Sequence, residues 1–382
     1  MVDRRLKCPP AGAQVAGAPI SLERIGGYPN FVVRLLFRRQ GIADQLPTEH
    51  GITLYRLTYR TAAPDGRLVT ASGLLGIPRG RVHARGLVSW HHGTESLRTN
   101  APSSKHVFHG LLPAAVFAGH GYLLLAPDYL GHGVSNEWHD YYLADHMAGV
   151  VRDFICAAKT VLDHSGVEVP SRLFLAGYSE GGYATLATQR ALERAPIAGL
   201  SVAASAPVAA AVDLAGLGVA GALAGESVYC SLYLAWIATT YARAYDEPVT
   251  DVLTPEWAAR TDSLFDGSRD GDATVAALPR DPRDLFSPDF LGAYDAGTDH
   301  WLVRRLRENS LLDWSPRAPI RAYYGAADVD VTPAQAGLLQ ENFRAHGGDA
   351  TAICVGDVDH DASLLPAAVL LRDWFDEISA PE

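Results

Sequence analysis

From about residue 52 the chain sets short apolar runs between turn residues and longer amphipathic stretches. Ile52 to Tyr59 alternates apolar and polar side chains as a half-solvated antiparallel strand does, and Pro64-Asp65-Gly66 turns it back into a second strand, Val69 to Ile77. After this hairpin the runs become continuous: 86–90, 121–126, 172–178, 200–205, 320–324 and 350–355. Uninterrupted apolar runs of this length belong to parallel strands covered on both faces. Helical stretches separate them at 141–162, 182–194, 332–346 and 363–378. Strand and helix in alternation predict an α/β fold with a mostly parallel, doubly wound sheet.

Residues 208–317 break that rhythm, because no clear strand signal interrupts them and a connection so long must carry structure of its own. Tyr229, Tyr233, Trp236, Tyr241 and Tyr245 recur there at helical spacing. We expect a helical cap at 208–317 inserted before the last two strands, an α/β core at 52–207 and 318–382, and an N-terminal segment, 1–51, docked on that core. Within 1–51, Arg34, Arg38 and Arg39 lie on an amphipathic pattern that suits a docked helix better than one on a membrane surface.

Composition narrows the class. In 382 residues, 48% are apolar and 20% charged, a globular balance that excludes a disordered chain. The net charge is −11, and Lys occurs only at Lys7, Lys105 and Lys159. Such a chain is repelled by phosphate backbones, so neither nucleic acid nor stable membrane insertion is expected. Cys8, Cys156, Cys230 and Cys354 show no metal-ligand spacing, and the apolar surroundings of Cys156 and Cys354 predict buried thiols. Arg4, Arg5 and Lys7 are followed by Cys8-Pro-Pro rather than by an apolar export stretch, so a cytoplasmic location is the default expectation.

The sharpest chemical signal is Gly177-Tyr178-Ser179-Glu180-Gly181, which follows the run 173–176 and opens a helical stretch. This is a nucleophile elbow: Ser179 sits on a strained turn at the carboxyl edge of the sheet, and side chains at Gly177 or Gly181 would collide with the crossing elements. A serine hydroxyl needs a base, and the base needs a carboxylate. In this architecture they follow in the order serine, acid, histidine. The loop after 320–324 offers Asp328, with Asp330 as its neighbour and rival, and the loop after 350–355 offers His360. Negative charge in the transition state calls for two backbone amides, expected at Glu180 and, from His92-Gly93-Thr94, at Thr94. The Glu180 side chain should point away from the chemistry. His91, His92, His106 and His109 lack carboxylate or thiol partners at ligand spacing, so no metal is expected, and His132 is a candidate only for lining the site.

Together these residues resemble the α/β-hydrolase superfamily, and within it the secretory lipase family with related bacterial lipase-like esterases. Besides the elbow, the resemblance rests on His92-Gly93-Thr94, on Ala126-Pro127-Asp128-Tyr129-Leu130-Gly131-His132-Gly133, and on 314–319 leading into Gly325 to Pro333. It implies a Ser179, Asp328, His360 triad, oxyanion amides at Thr94 and Glu180, a cap over an acyl pocket, a structural Asp128, and hydrolysis of a small ester substrate without a cofactor. Rival readings are acyl transfer by the same triad, prolyl peptidase activity, and a non-catalytic binding module.

Overall fold

The computed structural model describes residues 6–10, 14–39, 45–80, 82–105 and 107–380. Arg4, Arg5, His106 and the side chain of Arg39 lie outside them. A nine-stranded sheet runs in the order β1-β2-β3-β5-β4-β6-β7-β8-β9. Its strands are β1 Pro19–Tyr28, β2 Ile52–Ala62, β3 Leu68–Pro78, β4 Leu87–His91, β5 Leu123–Pro127, β6 Arg172–Tyr178, β7 Ser201–Val208, β8 Ile320–Tyr324 and β9 Ala350–Cys354. The continuous apolar runs form the parallel part, β5 to β9, and β2 and β3 make the expected hairpin.

Three antiparallel strands precede the parallel part, not two. β1 pairs along β2 at the sheet edge. Its Gly26-Gly27 pair and weak alternation conceal it in the sequence. Helix α1, Asn30–Arg39, follows it and buries Val33 and Phe37 against the core while Arg34 and Arg38 face outward. Cys354 corrects the expectation of a buried thiol. It lies on the edge strand β9 and is exposed, whereas Cys156 is half-buried.

Two long helices cover one face of the sheet. They are α3, Ala144–His164, and α4, Glu180–Arg194, and Phe154 of α3 fills the space left by Gly73 of β3. The C-terminal helix Leu364–Ser379 covers the other face, with Phe375 stacked on Phe174 at 4.5 Å. Between β7 and β8 the described residues form no sheet strand. They run as short helices around one longer helix, Cys230–Tyr245, joined by a single bridge between Leu253 and Phe286. These inserted helices share one buried cluster with the α/β layers. Trp236 stacks on Tyr141 at 4.6 Å and on Phe265 at 5.1 Å, and Tyr241 donates to the Tyr142 carbonyl at 2.8 Å. Among the described residues no helix is long and apolar enough to cross a membrane.

The loop after β5 is fixed by a buried carboxylate. Asp128 accepts from the Ser103 amide at 2.8 Å and from the Ser103 and Ser72 hydroxyls at 2.5 Å each. Burial raises its pKa, and these bonds oppose the rise. Asp128→Ala strips three donors of their acceptor and is expected to cost roughly 3 kcal/mol at about 1 kcal/mol or more per donor. Urea denaturation reads this as a lowered midpoint, and an unchanged midpoint would contradict a structural role.

Candidate functional site

β6 ends at Tyr178 and α4 begins at Glu180, which leaves Ser179 alone on the turn at φ 58°, ψ −119°. A non-glycine residue in such a conformation stores on the order of 1–3 kcal/mol, so its neighbours must hold it there. The Ser179 amide donates to the Val208 carbonyl at 2.8 Å, and its carbonyl accepts from Gly182 at 2.8 Å. A Cβ on Gly177 would strike the Gly181 carbonyl, and one on Gly181 would strike the His91 carbonyl. The elbow therefore closes only with glycine at both positions.

His360 and Asp328 arrive from two adjacent strand ends. A Cβ on Gly325 would strike the Val358 carbonyl, and Ala326 and Ala327 donate to the carbonyls of Gly356 and Val358 at 2.9 and 3.1 Å, so the loops after β8 and β9 lie against each other. His360 Nε2 stands 2.9 Å from Ser179 Oγ, and Nδ1 stands 2.7 Å from Asp328 Oδ2. Nδ1–H can only donate to a carboxylate, which leaves Nε2 to accept from the hydroxyl. Asp328 Oδ1 accepts from the amides of Asp330 and Val331 at 2.9 and 2.8 Å.

Those contacts separate the two aspartates. Asp330 turns to the inserted helices, accepting from the Ser227 hydroxyl at 2.7 Å and the Tyr233 hydroxyl at 3.0 Å. Burial opposes charge on His360, but the hydrogen bond and charge of Asp328, helped by Asp330 and Asp361, outweigh it and raise the pKa of the imidazole. Asp328, Asp330 and His360 also lie close enough together to bridge a cation. Both Asp328 oxygens and both His360 nitrogens are already engaged, so the contacts suit a proton relay better than a metal.

The amides of Thr94 and Glu180 have no acceptor among the described residues. Gly93 brings the first of them near: a Cβ there would stand 3.0 Å from the Tyr178 ring and 3.3 Å from Ser179 Cβ. The Glu180 side chain does turn away. It is fully buried and meets His139 Nε2 at 2.6 Å, while His139 Nδ1 stands 3.0 Å from the Leu130 carbonyl and 3.5 Å from Asp140. Burial disfavours an imidazolium here, but Glu180 and Asp140 prevail and raise the His139 pKa to about 10. Burial also raises the Glu180 pKa, and the charge and hydrogen bond of His139 oppose that rise, so the two groups hold one proton between them beside the candidate oxyanion amides.

No motif pointed to His139, because its partner lies 41 positions away. His91, His92, His132 and His109 are engaged in other contacts. His91 bridges Ser89 and Thr185, His92 reaches the carbonyls of Gly93 and Asp128, and burial drops the pKa of each to about 3. His132 contacts the Glu95 carbonyl at 2.6 Å and packs against His92 and His139, away from the cavity at Ser179. His109 faces Glu95.

Residues 111–209, from helix α2 (Phe108–Val116) through β7, match the prolyl oligopeptidase family. No curated protein matches the chain. Among solved structures, a candidate hydrolase from Legionella pneumophila is 27% identical, with a TM-score of 0.89 over 95% of this chain and 99% of its own. The rice cell wall degrading esterase LipA from Xanthomonas oryzae is 23% identical, with a TM-score of 0.86 over 96% and 100%. The chain belongs to the α/β-hydrolase superfamily. Candida antarctica lipase A in its closed state shares the same hydrolase fold at 13% identity, with a TM-score of 0.69 over 96% of this chain and 84% of its own. In this α/β hydrolase the family match ends at residue 209, so it takes in Ser179 but neither Asp328 nor His360.

The buried Glu180–His139 pair makes a coupling prediction. His139→Phe strands a buried carboxylate beside the elbow and should cost about 3–5 kcal/mol. Adding Glu180→Gln removes the stranded charge and should restore most of that stability. Urea midpoints for the two single variants and the double variant check this. Additive losses would contradict it.

Proposed function

We propose that this α/β hydrolase is a serine hydrolase of carboxylic esters, acting through an acyl-enzyme on Ser179. The reading rests on one observation: an unbroken hydrogen-bonded line, Asp328 to His360 to Ser179, that ends beside two unpaired amides. In the first half-reaction Ser179 Oγ attacks the ester carbonyl carbon while His360 Nε2 takes its proton. Asp328 steadies the imidazolium, and the amides of Thr94 and Glu180 receive the charge on the carbonyl oxygen. The carbon–oxygen bond to the alcohol then breaks as His360 returns the proton to the departing oxygen. Water repeats the same steps on the acyl-enzyme, releasing the acid and restoring the Ser179 hydroxyl. An alcohol entering in place of water would make the same chemistry an acyl transfer.

The prolyl oligopeptidase match supports a second reading, cleavage of a peptide bond by the same three side chains. That match spans only the elbow half of the core, whereas the neighbours that align with nearly the whole chain include an esterase and a lipase.

Ser179→Ala should lower turnover of a p-nitrophenyl ester by on the order of 10⁶, because the members of such a relay act as a unit. Retention of most of the activity would end the proposal, and faster release from a prolyl anilide than from the ester would favour the peptidase reading.

A further inference from the structure

We propose that the acyl side of this site admits only short acyl groups, of up to about three to five carbons. The inference rests on the serine-esterase reading above and adds the substrate class. A cavity of about 60 Å³ opens beside the elbow, with Ser179 and Thr94 on its wall and His360 absent from it. That placement identifies which part of an ester enters. The carbonyl oxygen must lie at the Thr94 and Glu180 amides, and the departing alcohol oxygen must lie at His360 Nε2. A cavity that adjoins the amide but not the imidazole therefore receives the acyl chain.

Its size sets the chain length. One water-sized group needs roughly 10–15 Å³ of such space, so the cavity holds about four to six non-hydrogen atoms, the carbonyl group included. Leu214, Val219, Leu234 and Ile237 give the cavity an apolar wall, the first three buried, and Asp330 and Tyr233 add polar groups to its lining. The wall is also pinned. The Leu214 amide donates to the Ser310 hydroxyl at 3.0 Å, and the amides of Val212 and Asp213 both donate to Gln335 Oε1 at 2.9 Å. Asp213 in turn accepts from Gly216 and Leu217 at 3.0 Å each. Tyr233, itself part of the lining, is tied with Ser227 to Asp330, which also lines the cavity. Deepening the cavity means breaking these bonds or forcing extra methylenes into packed side chains, which is costly in a dense interior.

The experiment measures kcat/KM for p-nitrophenyl acetate, butyrate, hexanoate, octanoate and decanoate with the full chain. The inference predicts a maximum at acetate or butyrate and a fall of about 1,000-fold or more by octanoate, since each methylene that does not fit costs about 10-fold or more. Leu214→Ala cuts back the apolar wall and should move the maximum two or more carbons longer. If that variant does not fold, the half-buried Ile237→Ala takes its place. A wild-type maximum at octanoate or decanoate, abolished by Ser179→Ala, would overturn the size limit and leave the esterase reading standing. Absence of cleavage for every ester would overturn that reading and the size limit with it.

Discussion

A serine held at φ 58° between a buried strand and a buried helix is the constraint on which the rest of this site depends. The conformation is unfavourable for a side-chain-bearing residue and persists only where the surroundings over-determine it. They do so through carbonyl–amide bonds from β7 and α4, and through glycines at 177 and 181 where any side chain would collide with backbone. The same tight passage lets the loop after β4 cross the elbow at Gly93, which brings the Thr94 amide beside the serine. The candidate nucleophile and the candidate oxyanion donors are thus products of one packing problem.

Burial of that elbow creates an electrostatic problem, because its next residue is an acid with no access to water. An isolated carboxylate there would cost several kcal/mol and would repel charge developing on a bound carbonyl oxygen. His139, held by the loop that Asp128 anchors, meets that carboxylate at 2.6 Å. A parallel arrangement operates at His360, where Asp328 is fixed by two amides and meets the imidazole at 2.7 Å. Asp330 adds its charge to His360 while fastening the inserted helices.

The sheet from β5 to β9 was legible because parallel strands buried on both faces must be continuously apolar. The elbow was legible because its glycines are sterically compulsory. β1 was hidden because an edge strand has one partner and a weak pattern, and Cys354 was misplaced for a related reason: an apolar run on an edge strand leaves side chains in solvent. His139 escaped because its meaning comes from a contact across 41 positions, and nothing local marks it. The order of Asp328 and Asp330 likewise needed loop geometry, since both sit at the same strand end. The inserted helices were expected from length and aromatic spacing, but their merging with the core into one cluster was not foreseeable from periodicity.

The most direct measurement is the rate at which a fluorophosphonate labels the protein as a function of pH, with the adduct located by peptide mapping. Attack requires the neutral imidazole, and the neighbouring carboxylates raise the pKa of His360, so labelling should increase with pH through a midpoint above 6.5. The adduct should lie on Ser179, and His360→Ala should all but abolish its formation. An adduct on another residue, or labelling indifferent to pH and to His360, would contradict the account.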